Sequence, residues 1–462
     1  MLRMTRQSIL DSPSPATSSN QPGTGLARRL GLFDATMIVM GGIIGSGIFM
    51  NPSVVARQVN TPFLNMAVWV AGGLVALAAA FIWAELAWLR PDVGGQYAYL
   101  REAFHPLIAF MYGWALLLVI QTGGMAAVAI TFARYFTELT QLQTAEWLVA
   151  AVALGALTVI NCLGVRSGSR LQSTLMVLKI LAILSLIISG LFLGRHQESV
   201  ERHGLLGQPP GFDLLTAVGA AMVPVLFAYG GWQTSTFLAA EIREPRKNLP
   251  RGLIIGVTGV VLLYVAVAFV CMRVLGTTGL ASTSAPASEV MRIVLGEWGA
   301  RVIATGIAIS TLGFLSQGML TAPRVYFAMA QDGLFFPSVG RLHPKTLVPI
   351  VAIVLQGALA IVIASVGVYD QILNYVVSID FIFFGLTAAS IFVFHKQRKR
   401  EGADEKGVTV PGHPFTTLLF IAVCWLVVLN TIYKYPQNTL IGVAILLAGI
   451  PAYLVWRWRN RT

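Results

Sequence analysis

The sequence predicts an all-α integral membrane protein of twelve transmembrane helices. The expected arrangement is a 5+5 inverted repeat with helices 1 and 6 broken at the midplane, followed by two extra C-terminal helices. Three observations carry this. Of 462 residues, 56% are hydrophobic and only 11% charged, against about 25% charged in soluble globular domains. Twelve apolar stretches approach or exceed the roughly twenty residues that a membrane crossing needs. The first and sixth of them, each heading a block of five, are interrupted by glycine clusters.

The expected spans are roughly 33–57, 65–88, 105–133, 146–163, 171–193, 214–240, 251–273, 300–328, 348–366, 371–394, 415–433 and 438–456. Loop charge tests the count. With the N-terminus cytoplasmic, 23 Lys and Arg fall on the inner side and 7 on the outer. That asymmetry places both termini in the cytoplasm, at the cell membrane. An odd number of spans would scramble it. The net charge of +12 then belongs to basic loops facing anionic lipid, not to nucleic acid. Residues 1–30 are polar and rich in Ser, Pro and Thr. They lack the apolar centre of a signal peptide and are expected to form a disordered cytoplasmic tail. The first five-helix repeat covers 31–195 and the inverted second repeat 213–395. A basic cytoplasmic loop, 396–414, leads to helices 11–12 over 415–457 and a tail, 458–462.

The two interruptions are GGIIGSGIFMNP, Gly41 to Pro52, and FAYGGWQ, Phe227 to Gln233. Irregular backbone at membrane depth survives only where protein or a water-filled cavity satisfies it. A matched pair of such breaks in two halves points to a secondary-transporter site. Five spans per block is odd, so the blocks run in opposite senses and bring the breaks face to face. Unwinding at Gly45, Ser46 and Gly47 frees N–H groups at the start of the outer half-helix, where the helix dipole adds positive character. That suits a carboxylate. Carbonyls freed at half-helix ends suit an ammonium. A ligand with both groups on adjacent atoms is an α-amino acid. The alternative for the first cluster is close helix packing, since Gly41 and Gly45 have G-x-x-x-G spacing. A phosphate loop is excluded because Ile48 stands where its Lys must be.

These residues resemble a known family. GGIIGSGIF with Pro52 after it resembles the first helix of the amino acid–polyamine–organocation superfamily. FAYGGW resembles the sixth helix of its L-amino-acid transporter branch. EIREPRKNLPRGL, Glu241 to Leu253, is similar to the segment that follows, with Glu244 where Asn is common. The likeness runs from about residue 29 to 457. It implies a sodium-independent amino acid permease. It also implies that Gly45, Ser46 and Gly47 bind the substrate carboxylate and that carbonyls of Ile43, Ile44, Phe227 and Ala228 receive its ammonium. Phe227 is then an aromatic gate, and Gly230 and Gly231 make room for the substrate side chain.

Several charged residues lie within or beside the spans. Lys179, in LMVLKILAIL, costs about 3 kcal/mol to insert if charged. Helical rise sets it just cytoplasmic of the first break, within reach of the unwound carbonyls. By resemblance it stands where related symporters hold sodium, so it is expected to replace that cation and to exchange a proton. Snorkelling to the cytoplasm is the alternative. Glu85 is expected to be structural, paired with a loop Arg such as Arg90. Asp380 is either a hydrogen-bonded buried acid or a proton site. Glu241 is expected to latch the inner face through Arg243, Arg246 or Arg324.

No catalytic residues, metal set or cofactor are expected. Cys162, Cys271 and Cys424 lie in apolar runs as packing residues. The histidines, His343 and His395 among them, lie in or beside loops. An intramembrane enzyme would need a nucleophile–base pair or metal ligands at depth, and the sequence offers neither. The expected function is alternating-access transport of L-amino acids by exchange or facilitation. No acid lies in either interrupted segment, which favours a neutral side chain. A proton-coupled symporter of cationic amino acids or polyamines is the alternative. The expected partners are the amino acid and the lipid bilayer. Animal relatives bond a heavy chain through a Cys in the loop after the third span. Here that loop, TELTQLQTAE, has none, so no disulfide-linked accessory subunit is expected.

Overall fold

The computed structural model describes residues 26, 28–194, 211–366, 369–402, 407–434 and 436–459. Most of the expected N-terminal tail, part of the 396–414 loop and the last three residues lie outside these. The described residues form helices with no strand; Leu30 and Ile242 make an isolated parallel bridge.

The first span is two helices, α1 (Leu32–Ile43) and α2 (Gly47–Gln58), bent by 40° at the break. Next come α3 (Pro62–Leu89), the short α4 (Gln96–Ala103) and α5 (Pro106–Ala115). A wide π-turn, Leu116–Ile120, leads into α6 (Gln121–Thr140). Then follow α7 (Glu146–Cys162), α8 (Val165–Phe192) and α9 (Phe212–Tyr229). A tight 3-10 helix, Trp232–Glu241, continues α9 past the second break. Beyond it run α10 (Pro245–Ser282), α11 (Pro286–Thr321), α12 (Pro323–Gln331), α13 (Ile350–Val366) and α14 (Tyr369–Glu401). The last two are α15 (Phe415–Lys434) and α16 (Pro436–Arg459).

Among the described residues, nine helical stretches are long and apolar enough to cross a membrane, and the bent pair α1 and α2 makes a tenth. α7 and α13 are apolar but shorter, 17 residues each. Local chemistry fixes the ends. Thr61 accepts from the Leu64 amide at 3.2 Å and Pro62 opens α3. His105 does the same for α5 ahead of Pro106. Proline is at home there because the first turn's N–H groups have no helical partner.

The eighth span differs from expectation. It starts earlier, at Pro286, and bends at Gly296, whose φ of +68° only glycine adopts easily. The same stretch divides again near Pro323, which has no N–H to carry the ladder. The short helix α4 also falls between expected spans. Its eight residues carry only a narrow buried face, too little for the period to register.

The broken first span sits inside the bundle. α1 packs on α10, α8, α11 and the 3-10 helix, while α2 packs on α9 and α10. α14 packs on α15, α16 and α6 and reaches α3 and α4. Cys162, Cys271 and Cys424 are free thiols.

Candidate functional site

The first break begins at Ile44, whose backbone is extended, and ends where α2 starts at Gly47. Three successive carbonyls turn out of the helix there, and each meets a side chain from a different helix. The Tyr264 hydroxyl on α10 donates to Ile43 O at 3.2 Å. The Lys179 ammonium on α8 donates to Ile44 O. The Ser310 hydroxyl on α11 donates to Gly45 O at 2.9 Å. Lys179 is 0% exposed, and Gly313 makes its room: a methyl there would lie 3.2 Å from the lysine Cε.

The amide side of the break is different. Ile43, Ile44 and Gly45 are buried, but Ser46 and Gly47 are partly open. The first amides of α2 are the orphan donors of a helix N-terminus, with the positive end of its dipole behind them. The carbonyls are thus largely engaged by the protein, while two of the residues that carry the donors are partly exposed.

The second break is narrower than the sequence suggests. α9 runs on through Tyr229, so Phe227 and Ala228 stand in its last turn and only Gly230 and Gly231 are unwound. The Gly230 amide bonds Phe227 O at 3.1 Å, which occupies one of the carbonyls expected to be free. Gly231 has φ +114°, a conformation that strains any other residue. Phe227 is 37% exposed, unlike most of the aromatic core around it.

The two breaks touch through backbone. A methyl on Gly231 would lie 2.0 Å from Gly42 O, and one on Gly42 would lie 2.7 Å from Gly231 O. A polar chain fastens the contact: Gln317 Nε2 donates to Thr234 Oγ1 at 2.6 Å, and that hydroxyl donates to Gly231 O at 2.7 Å. On the α2 side, a methyl on Gly47 would meet Ala228 Cβ at 3.3 Å. Asn51 Nδ2 donates to Pro224 O at 2.7 Å. Sequence reasoning missed Tyr264, Ser310 and Gln317. Their signal was present: polar side chains inside apolar spans need partners.

The two ends of the site differ. A cavity of 660 Å³ lies beyond α2; its wall includes Met50, Thr131, Arg134, Glu138 and Arg301. Toward the other end the chain is sealed. Arg324 and Glu241 form an ion pair at 2.6 Å with side chains 1% and 0% exposed. The amides of Arg29 and Leu30 donate to Glu241 O at 2.9 and 3.1 Å, and the Arg243 amide returns to Leu30 O at 2.8 Å. The chain entering α1 is therefore stitched to the chain leaving the 3-10 helix.

Glu85 corrects an expectation. Its partner is not Arg90, which pairs with Glu102 at 2.6 Å. Glu85 meets His395 Nε2 at 2.5 Å and accepts from the Val410 amide at 2.7 Å. The reason is tertiary: α14 and the loop after it close over the end of α3. Asp380, on α14, has its Oδ1 sealed from solvent without a hydrogen-bond partner. Among the described residues no three His, Cys, Asp or Glu side chains are grouped to hold a metal.

A sequence profile described as amino acid permease matches residues 30–453. The chain belongs to the amino acid permease family. It is a multi-pass membrane protein. The permease is 28% identical over 433 residues to a Bacillus subtilis serine/threonine exchanger, covering 93% of this chain and 97% of that one. It is 29% identical over 457 residues to the mouse large neutral amino acids transporter small subunit 2, covering 96% and 84%. It is 28% identical over 467 residues to the human b(0,+)-type amino acid transporter 1, covering 98% and 92%. These relatives are transporters, and the permease is not an enzyme.

Proposed function

We propose that the permease moves L-amino acids across the cell membrane by alternating access, without sodium, as an exchanger or facilitator. One observation carries this: the contact of the two broken spans at Gly42 and Gly231, beside the partly exposed Ser46 and Gly47 at the start of α2. A zwitterion placed there sets its carboxylate on the α2 N-terminus. Its ammonium takes the second lone pairs of Ile43 O and Ile44 O and the end carbonyls of α9 at Phe227 and Ala228. Phe227, part-exposed above the break, closes over it. Gly230 and Gly231 leave volume for the side chain, and the broken segments, having no acid, take a neutral one. The names of the exchanger and transporter relatives support the same substrate class.

Independence from sodium rests on Lys179. Its ammonium already fills the cation position on the Ile44 carbonyl. In the same proposal the fold is twelve spans, two five-helix halves of opposite sense over 31–195 and 213–395 plus the last two helices. The N- and C-termini are cytoplasmic, by the loop charges. The sealed Glu241 end is then the inner face and the 660 Å³ cavity the outer vestibule. The permease works without a disulfide-linked subunit, as the loop after α6 has no cysteine.

Proteoliposomes test this with labelled amino acids, with and without sodium, a pH gradient and internal substrate. Uptake driven by internal amino acid and indifferent to sodium is expected. Uptake of none, or strict sodium dependence, overturns it. Gly47→Leu and Ser46→Pro, which block the α2 amides, are expected to insert but not to bind.

A further inference from the structure

The 660 Å³ cavity beyond α2 falls within the range of small-molecule sites, about 300–1,000 Å³. Five charged side chains line it: Arg134 and Glu138 near the end of α6, and Arg292, Glu297 and Arg301 on α11. Three of them are committed to ion pairs. Arg134 Nε lies 3.0 Å from Glu146. Arg292 pairs with Glu297 at 2.8 Å and with Glu289 at 2.6 Å. Glu138 and Arg301 are left over. Their hydrogen bonds run through backbone carbonyls: Gln141 Nε2 donates to Glu138 O at 2.7 Å, and Thr305 Oγ1 donates to Arg301 O at 2.9 Å. Among the described residues neither side chain has an ion-pair partner. One carboxylate and one guanidinium, on two helices that pack together, thus face a shared cavity with their charges unspent.

The cavity leads to the first break. Met50, on its wall, lies three residues after Gly47 on α2, about 4.5 Å along the helix. Ala304, also on its wall, lies six residues before Ser310, about 9 Å along α11. The Ser310 hydroxyl holds Gly45 O. The same two helices therefore carry the cavity wall and the broken segment. A free cation and a free anion together select by charge pattern. A singly charged molecule is drawn by one and repelled by the other, whereas a zwitterion is drawn by both. The low-dielectric walls of a cleft focus such fields.

We propose that Glu138 and Arg301 form a capture site for zwitterionic amino acids. The guanidinium meets the carboxylate and the Glu138 carboxylate meets the ammonium, before the ligand passes down to the break. This rests on the transport function above, and adds to it a binding step on one side of the membrane only, the side that the cavity faces.

Glu138→Gln and Arg301→Gln each remove one charge and keep the shape of the wall. Both residues are exposed, so the variants are expected to fold. Exchange is measured in proteoliposomes of uniform orientation, with labelled amino acid varied first on one side and then on the other. Each variant is expected to raise the half-saturation concentration on the cavity side about 3-fold, the scale of an exposed charge pair. The maximal rate and the half-saturation concentration on the opposite side stay as in wild type, which also reports that the variant is folded. Added salt at constant osmolarity is expected to raise the wild-type value on the cavity side through screening, and to move the Glu138→Gln, Arg301→Gln double variant little. An unchanged value on the cavity side overturns the inference and leaves the transport function standing. So does a rise on both sides, which assigns the two residues to structure, or a rise confined to the opposite side. Amino acid uptake absent in wild type overturns the transport function and the inference with it.

Discussion

The ammonium of Lys179 on α8 donates a hydrogen bond to the carbonyl of Ile44, inside the unwound stretch between α1 and α2. The lysine is wholly buried there. An unwound carbonyl left bare at that depth costs about 1–3 kcal/mol. Lys179→Ala removes the donor and opens a void; Lys179→Met keeps the bulk and removes only the charge and donor. Both are expected to lose amino acid uptake by ~10-fold or more, the rate equivalent of that cost. Equal losses assign the effect to the ammonium. A loss in Ala alone assigns it to packing, and near-normal uptake in Met removes Lys179 from the mechanism.

The glycine pair at the second break offers a sharper comparison, because its two members are not equivalent. Gly231 has φ +114° and lies against Gly42 O, where a methyl would overlap at 2.0 Å. Gly230 has φ −64°, and its methyl would sit 3.3 Å from Phe227 O. Gly231→Ala therefore meets backbone strain of about 1–3 kcal/mol and must also push the broken spans apart. Gly230→Ala needs a shift of only a few tenths of an ångström. Thermal unfolding in detergent and uptake are expected to fall markedly in Gly231→Ala and little in Gly230→Ala. Equal behaviour of the two would show that the backbone contact does not matter.

The sequence made the spans legible because hydrocarbon imposes length and apolarity on each helix separately. Both breaks were legible for the same reason: glycine clusters inside an apolar run contradict helix propensity. Lys179 could be placed by counting helical rise from the loop. What stayed hidden was whatever depends on which helix lies beside which. Tyr264, Ser310 and Gln317 reach the breaks from α10 and α11, and no spacing within one helix reveals that. Glu85 was set against Arg90, five residues away, when its partners come from 310 and 325 positions along the chain. The exact edge of the second break was hidden too, because Phe227 and Ala228 hold their helical turn up to Gly230.

Outside the membrane, His413 gives the cap over α3 a defined response to pH. Its ring centroid lies 4.6 Å from His395, edge to face, and 5.0 Å from the tilted ring of Phe392, and Nδ1 meets Thr417 Oγ1 at 3.0 Å. Burial, then the neighbouring His395, hold its pKa below the usual 6.5, with Glu85 opposing them. The folded form thus binds this proton less readily than the unfolded chain. The stability it contributes is present above about 6.5 and is lost as pH falls through the depressed folded value. Melting temperature in nanodiscs is expected to drop between neutral pH and mildly acidic pH. His413→Gln is expected to flatten that part of the curve. An identical slope in the variant would assign the acid sensitivity to other groups.

The sealed end of the site turns on Glu241 and Arg324, an ion pair with both side chains buried. Removing one member of such a pair leaves an uncompensated charge and costs about 3–5 kcal/mol, whereas the intact pair adds little net stability over apolar neighbours. The pair is therefore better explained as a latch than as a source of stability. Its geometry agrees: Glu241 ends the 3-10 helix of the broken sixth span, its carbonyl holds the amides of Arg29 and Leu30 ahead of α1, and Arg324 opens α12. One residue thus joins both broken spans to the helix beyond α11. Opening this end must break the pair, and the cost falls on the closed state alone if water reaches both charges once it opens. Glu241→Gln and Arg324→Gln are expected to shift the permease toward the state open at this end. A cysteine introduced at Ser235, buried on the same 3-10 helix, is expected to react faster with a membrane-impermeant thiol reagent applied from the side of this sealed end. Exchange is expected to slow, because the return to the closed state loses its driving contact. The double variant is expected to lose little beyond either single one, since the pair is already broken. Additive effects, or unchanged labelling at position 235, would mean that the pair does not gate this end.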